Sequence, residues 1–360
     1  MLGKNNDFNV FKIEEEFAVF DIGEKTIKCL LFRIGENLDY IYTNEIESQG
    51  IENGNIINLI SLSNAIFQLI YNIEVDVGTI VKNVIISFSF PKFEHRKFQE
   101  NININGIIKK SHIQNLNYRL KFDINDTIIG YLYKDYQIDK MDKIENPEQM
   151  CGSNLTLKAN FITISNNIIR NLATIFNRNS ININFVALNG LISHFDISED
   201  NFIMVEVGNK TTRIFTKFNS ENFYDLYTLD VGFYHLLKEL NAIDSNLEKI
   251  QISYSSKVKK EKVDISREFF RNLFSIILQK IKANRIFNIY LSGSICTVPL
   301  IDLFLKQKFD INFIIPNTPE IPCSTNSNIF RNCFSIAQYL FKDLDKLQNN
   351  TGIHRYLYKF

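Results

Sequence analysis

Two acids, each separated by one aliphatic residue from a glycine, are the clearest chemical signature in this chain. Ala18-Val19-Phe20-Asp21-Ile22-Gly23-Glu24-Lys25-Thr26-Ile27-Lys28 runs from an apolar stretch through an acid, an aliphatic residue, a glycine and two polar residues to a threonine. Met204-Val205-Glu206-Val207-Gly208-Asn209-Lys210-Thr211-Thr212-Arg213 repeats that order. A glycine in the turn lets backbone N–H groups come close to phosphate oxygens, and the threonine hydroxyls add donors. The acid is repelled by phosphate; its chemistry is to hold magnesium, directly or through water. Two such turns facing each other would grip a polyphosphate, with Asp21 and Glu206 on either side of the metal. A third element, Ile289-Tyr290-Leu291-Ser292-Gly293-Ser294, ends a strand in small residues that can pass close to a nucleoside.

Each turn needs a strand on either side. Phe17–Phe20 and Ile27–Phe32 read as paired strands, Leu38–Glu47 as a third, Leu59–Tyr71 as an amphipathic helix and Val84–Phe90 as a buried strand. Strand, strand, strand, helix, strand is an α/β unit. Phe202–Val207, Thr211–Phe218 and Phe223–Leu229 open a second one, with helices expected over Gly232–Leu240, Leu247–Tyr254, Ser266–Ala283, Val298–Leu305 and Ile329–Phe341 and a strand over Asn288–Leu291. The stretch 91–160 is polar and Asn-rich and reads as an inserted small domain.

At 360 residues the chain exceeds one compact core, so two lobes are expected. The 40 basic and 40 acidic residues cancel, which gives no global field for a nucleic acid, and none is expected as a partner. Cys29, Cys151, Cys296, Cys323 and Cys333 are odd in number and carry no C-x-x-C pair, so reduced thiols are expected and not a zinc site. The polar first ten residues hold no apolar signal core, and a cytoplasmic setting is expected.

Phosphate turn, phosphate turn, glycine turn is the order of the actin, Hsp70 and sugar-kinase superfamily, and within it the chain resembles the bacterial cell-division FtsA family over almost its whole length. Ser48-Gln49-Gly50-Ile51-Glu52-Asn53-Gly54-Asn55-Ile56 is similar to that family's S-R-G-I-x-x-G segment, and Val84-Ile85-Ile86-Ser87-Phe88-Ser89 to its V-Y-V-S-I-S strand. The most specific stretch is Tyr136-Gln137-Ile138-Asp139 followed by Ile144-Glu145-Asn146-Pro147-Glu148-Gln149-Met150-Cys151-Gly152. The resemblance implies an actin-like, ribonuclease H-like duplicated fold: a first lobe at 14–90, an FtsA-type insertion at 91–160, a second lobe at 161–345 with a smaller subdomain near 235–285, a linker at 346–352 and a tail at 353–360.

It also implies ATP, with contacts at Asp21, Gly23, Lys25, Thr26, Glu206, Gly208, Thr211, Thr212, Gly232, Glu248, Gly293 and Ser294, and magnesium held by Asp21 and Glu206. The departures are specific. Thr26 stands where the family carries a phosphate-reaching lysine, with Lys25 one position away. Asn209 and Lys210 replace two glycines, Arg213 replaces a closing aspartate, and Ser294 replaces a glycine. These changes imply weakened nucleotide binding and little or no hydrolysis, and no catalytic residue is assigned.

In the tail, Ile353, Tyr356, Leu357 and Phe360 fall at i, i+3, i+4 and i+7, the apolar face of a short helix whose other side carries His354, Arg355 and Lys359. The resemblance makes this helix a contact for anionic membrane lipid. The implied role is an adaptor at the division site, on the cytoplasmic face of the inner membrane. It would bind FtsZ, with the basic Lys257–Lys262 cluster facing acidic FtsZ tails, self-associate into actin-like filaments and recruit later division proteins. The competing readings are a catalytically active ATPase or kinase of the superfamily and an actin-like scaffold of a pilus or secretion assembly.

Overall fold

The computed structural model describes residues 15–53, 55–88, 93–122, 126–188, 197, 199, 201–218, 223–241, 257–281, 288–298, 300–318, 327–349 and 357–359. In the first lobe, β1 (Glu15–Ile22), β2 (Thr26–Ile34) and β3 (Leu38–Glu47) form an antiparallel meander. A short hairpin, β4 (Ile51–Glu52) with β5 (Asn55–Ile56), leads into α1 (Leu59–Val77) and then β6 (Asn83–Phe88), which runs parallel to β1. Asn58 caps α1 by accepting from the Ile60 and Ser61 amides, and Leu62, Ala65, Ile66, Leu69, Ile70 and Ile73 give the helix one buried face. Gly50 sits beneath that cap: its carbonyl accepts from the Ile57 and Asn58 amides, its φ is +80°, and a Cβ there would lie 2.1 Å from the Asn58 carbonyl oxygen. Only glycine fits this position.

After β6 the chain leaves the sheet to build a separate layer. β7 (Glu94–Ile107), α2 (Lys110–Phe122), β8 (Thr127–Ile138), β9 (Met141–Ile144) and β10 (Cys151–Ile164) form a four-stranded antiparallel sheet in the order β7-β10-β8-β9. Its own core gathers Ile104, Leu116, Leu120, Tyr136, Leu155 and Leu157. The Tyr136–Gly152 motif has a structural role here. Asp139, at φ +51°, accepts from the Ser153 and Asn154 amides through its carboxylate, and Asn146 accepts from the Glu148 amide to open the Pro147 turn. Gly152 packs against Ile138, whose Cγ2 would be 2.3 Å from an added Cβ.

The chain then returns to the first lobe through α3 (Asn166–Asn177) and β11 (Asn182–Leu188), which pairs parallel with β6. The expected boundary at 161 therefore moves: β11 belongs to the first sheet, and the second lobe begins at β12 (Phe202–Val207). β13 (Thr212–Phe218) and β14 (Phe223–Leu229) continue an antiparallel meander. α4 (Phe233–Asn241) and α5 (Lys257–Ile281) precede β15 (Asn288–Gly293), and α6 (Ile301–Phe309) precedes β16 (Phe313–Ile314). α5 carries the Lys257–Lys262 cluster on its first turns. The helix expected from Val298 begins at Ile301, because a 3₁₀ turn over Ser294–Thr297 comes first.

The two lobes are copies. The strand order β3-β2-β1-β6-β11 matches β14-β13-β12-β15-β16, with antiparallel, antiparallel, parallel, parallel pairing in both. Along β12 the side chains alternate between two cores. Ile203, Val205 and Val207 face a cluster with Leu236, Phe270 and Phe274, whereas Phe202 and Met204 join the first lobe's core. That shared core includes Cys333, Phe334 and Ile336 of α7 (Arg331–Asn349), which packs on β1, β2 and β3. α7 thus ties the lobes together, and its first residues stand at the cleft between them.

The tail differs from its expected form. Leu357–Lys359 is a strand, β17, antiparallel to β11 through Phe185–Lys359, Val186–Tyr358 and Ala187–Leu357. An isolated helix of eight residues is marginal, whereas the edge of β11 offers backbone donors and acceptors that need partners. Leu357 therefore belongs to a sheet edge and not to a helix face. Ile353, Tyr356 and Phe360 lie outside the described residues, as do Glu248 and the expected helix Leu247–Tyr254.

Candidate functional site

Both acids are the next-to-last residue of a central strand, and the matching hairpins give them matching neighbours. In the first hairpin the Gly23 amide donates to the Thr26 carbonyl at 3.0 Å; in the second the Gly208 amide donates to the Thr211 carbonyl at 2.9 Å. Asp21 lies opposite Lys28 across β1–β2 and opposite Ser87 on β6. Glu206 lies opposite Arg213 across β12–β13 and opposite Ser292 on β15. An acid faced by a base on one neighbour and a serine on the other is thus built twice.

The hairpins flank a cleft of about 270 Å³, lined on one side by Asp21, Gly23, Lys25, Thr26 and Lys28 and on the other by Glu206, Gly208, Asn209, Ser292, Gly293 and Ser294. Gly293 has φ +80°, and a Cβ there would lie 2.4 Å from the Val207 carbonyl oxygen, so the third turn presses directly on the second hairpin. Ile329, Arg331 and Asn332 close the cleft from the start of α7. These three had no signal in the sequence beyond the expected helix at Ile329–Phe341, because their role depends on where α7 enters the interlobe space.

Thr211, Thr212 and Gly232 support the second turn from behind and are not among the lining residues. The Thr212 hydroxyl is fully buried and donates to the Val231 carbonyl at 2.7 Å, so it does not face a ligand. Gly232 packs under the turn, where a Cβ would lie 2.5 Å from the Asn209 carbonyl oxygen and 2.7 Å from that of Gly208. Those two carbonyls accept from the Phe233 and Tyr234 amides of α4. The first amides of α4 are therefore spent on the loop itself.

At the mouth of the cleft the two turns hold each other. Lys210 Nζ lies 2.8 Å from Glu24 Oε1 and donates to Asn53 Oδ1 at 2.9 Å, and the Asn53 amide donates to the same Glu24 oxygen at 2.6 Å. The charge of Lys210 thus pairs with an acid of the opposite turn, and the Gly50–Ile56 hairpin supplies the third member.

On the floor, Asn332 Nδ2 donates to Glu206 Oε1 at 2.9 Å and stands 3.4 Å from Asp21 Oδ2, so one amide bridges both acids. Arg213 Nη1 is 3.7 Å from Glu206 Oε2, with side-chain exposures of 5% and 6%. Burial pushes the Glu206 carboxyl above its ordinary value, while the Arg213 guanidinium and the Asn332 amide oppose that rise. Burial also lowers the Arg213 value, against the pull of Glu206.

This donor set does not fit magnesium between Asp21 and Glu206. Magnesium takes a near-ideal octahedron of oxygens, several of them water. Here a guanidinium already compensates one acid and an amide nitrogen bridges the two. Among the described residues, no group of three or more His, Cys, Asp or Glu side chains is arranged to hold a metal ion. The expected metal pair is brought together, with the Asn332 amide between the two carboxylates and Arg213 beside Glu206.

Comparison with known proteins agrees with the duplicated architecture. No protein-family model matches the chain. It is 23% identical over 244 residues to the cell division protein FtsA of Buchnera aphidicola subsp. Schizaphis graminum (strain Sg), a match covering 62% of this chain and 57% of that protein. The aligned part thus spans little more than half of the relative. Among solved structures, the PilM-PilN type IV pilus biogenesis complex aligns at a TM-score of 0.61 with 9% identity, covering 91% of this chain and 99% of that one. The ethanolamine utilization protein EutJ from Carboxydothermus hydrogenoformans aligns at 0.57 with 10% identity, covering 90% and 89%. MreB5 of Spiroplasma citri bound to ADP aligns at 0.50 with 8% identity, covering 93% and 99%. The fold is actin-like, with two duplicated lobes around a cleft.

Proposed function

We propose that the chain is a nucleotide-binding adaptor of the FtsA type, which links filaments of the tubulin-like FtsZ to the inner membrane at the division site, recruits later division proteins and self-associates through its actin-like body. The observation that carries this reading is the four-stranded sheet inserted after β6, whose Tyr136–Gly152 segment holds its turn through Asp139, Asn146 and Gly152. ATP or ADP is the ligand that fits the cleft's form: two glycine turns suit phosphates, and the Gly293–Ser294 turn suits a nucleoside. It acts as a structural or switching ligand. Hydrolysis has little support, since both floor acids are engaged by Asn332 and the Glu24–Lys210 pair spans the phosphate mouth.

Among the described residues no helix is long and apolar enough to cross a membrane. Contact with anionic lipid through Ile353, Tyr356, Leu357 and Phe360 requires β17 to leave the edge of β11, so membrane and sheet compete for the tail. The test is co-sedimentation with FtsZ filaments and anionic liposomes, comparing the full chain with one ending at Gly352. The adaptor reading expects the full chain to recruit FtsZ to liposomes and the shortened one to bind FtsZ without them. Failure of the full chain to bind FtsZ overturns it.

A further inference from the structure

Resting on the reading of the cleft as a nucleotide site, we infer that it takes its nucleoside phosphate free of divalent metal, with Arg213 serving as a fixed internal cation in place of the ion. Three observations converge. Arg213 lies directly opposite Glu206 across β12–β13, just as Lys28 lies opposite Asp21, so each floor acid meets a base carried on the adjacent strand. The Glu206–Arg213 pair is buried, and the Arg213 guanidinium lies over the Phe93 ring at 5.5 Å, which shields it from water at the base of the inserted layer. Asn332 Nδ2 lies between the two acids, 2.9 Å from Glu206 Oε1 and 3.4 Å from Asp21 Oδ2, so a protein donor occupies the space between them.

The chemistry follows from the donor types. A guanidinium cannot release its proton in a protein, so its charge persists at every working pH. A divalent ion entering beside it would meet like charge in a low-dielectric setting, where repulsion is strong. It would also have to displace the Asn332 amide and shed water, which magnesium does reluctantly. A metal-free nucleotide meets no such barrier. Lys25 and Lys28 are on the lining and supply positive charge for a phosphate. Arg213 does not line the cleft; it is a positioning residue that holds Glu206 compensated from behind.

The experiment titrates ADP into the full chain by calorimetry, once in EDTA and once in millimolar magnesium, and follows manganese binding by electron paramagnetic resonance without nucleotide. The inference expects ADP to bind in EDTA at least as tightly as in magnesium, and manganese to remain free. Arg213→Asp, which removes the internal cation and adds a third acid, should make ADP binding depend on magnesium by about tenfold or more and should bind manganese. Should that variant fail to fold, the wild-type titrations decide alone. Binding weakened about tenfold by EDTA, or manganese held by the wild-type chain, overturns the internal-cation assignment and leaves the nucleotide cleft standing. Absence of ADP binding in both media overturns the nucleotide reading itself.

Discussion

Replacing Arg213 with methionine is the perturbation whose size follows most directly from the structure. The substitution keeps most of the stem and removes the charge beside Glu206 Oε2, an oxygen that is buried and has no hydrogen-bond partner even with Arg213 in place. Removing one member of a buried ion pair costs about 3–5 kcal/mol. The lost cation–π contact with Phe93 adds about 1 kcal/mol, part of which methionine recovers through its sulfur–aromatic contact. A loss of about 3–5 kcal/mol in a lobe of roughly 150 residues lowers the midpoint of thermal unfolding by about 6–20 °C. The sign of the pH effect is also set. The folded value of Glu206 is raised above the ordinary 4.5, so the contribution of this group is most favourable below that value and is lost as pH rises through the folded value. Arg213 is the strongest of the groups opposing that rise, ahead of Asn332 and Lys28, while Asp21 adds to it. The variant should therefore lie furthest below wild type above neutrality and approach it as the solution is acidified toward 4.5. Urea and thermal unfolding at several pH values measure this, and adding Glu206→Gln should recover most of the loss. A deficit under about 1 kcal/mol, independent of pH and unaffected by Glu206→Gln, would refute the account of the floor.

Gly50→Ala places a Cβ 2.1 Å from the Asn58 carbonyl oxygen at φ +80° and should cost about 2 kcal/mol or more through strain and displacement of the α1 cap; unchanged urea unfolding would contradict this. Glu24→Gln and Lys210→Met should show a coupling of about 0.5–1 kcal/mol in a double-mutant cycle, since the pair is only partly buried. That coupling should fade in high salt, and its absence at low salt would show that Glu24 and Lys210 do not hold the two turns together. Deleting residues 357–360 should speed amide exchange over 185–187 by about tenfold or more, because the edge of β11 loses its partner strand; equal exchange would show that the tail does not occupy that edge.

Much of the fold could be read from local pattern. The strands at Phe202–Val207 and Leu38–Glu47 reappear with the expected bounds, and the helix expected over Leu59–Tyr71 runs on to Val77. The duplication was visible too, because a hairpin closed by a glycine amide imposes the same residue order each time it is used. The inserted layer was harder to resolve. β7 spans fourteen residues rich in Asn and charge, and its strand character comes from pairing with β10 and not from its own propensity. The tail shows the reverse: a helical period over Ile353–Phe360 was real, yet Leu357–Lys359 pairs with a sheet edge made available only by the fold. Of the site, the residues on the turns were legible and Asn332 and Arg331 were not, since α7 brings them across more than a hundred positions of sequence. Thr212 and Gly232 were legible as turn residues, but their hydrogen bonding turns them toward α4 and Val231.

Hydrogen–deuterium exchange of the full chain with and without ADP tests most directly whether the two matched hairpins form one nucleotide cleft. The account predicts that 21–28 and 206–213 gain protection together, accompanied by 292–297, because a single ligand spans both lobes. Protection confined to one hairpin, or none at saturating ADP, would contradict it.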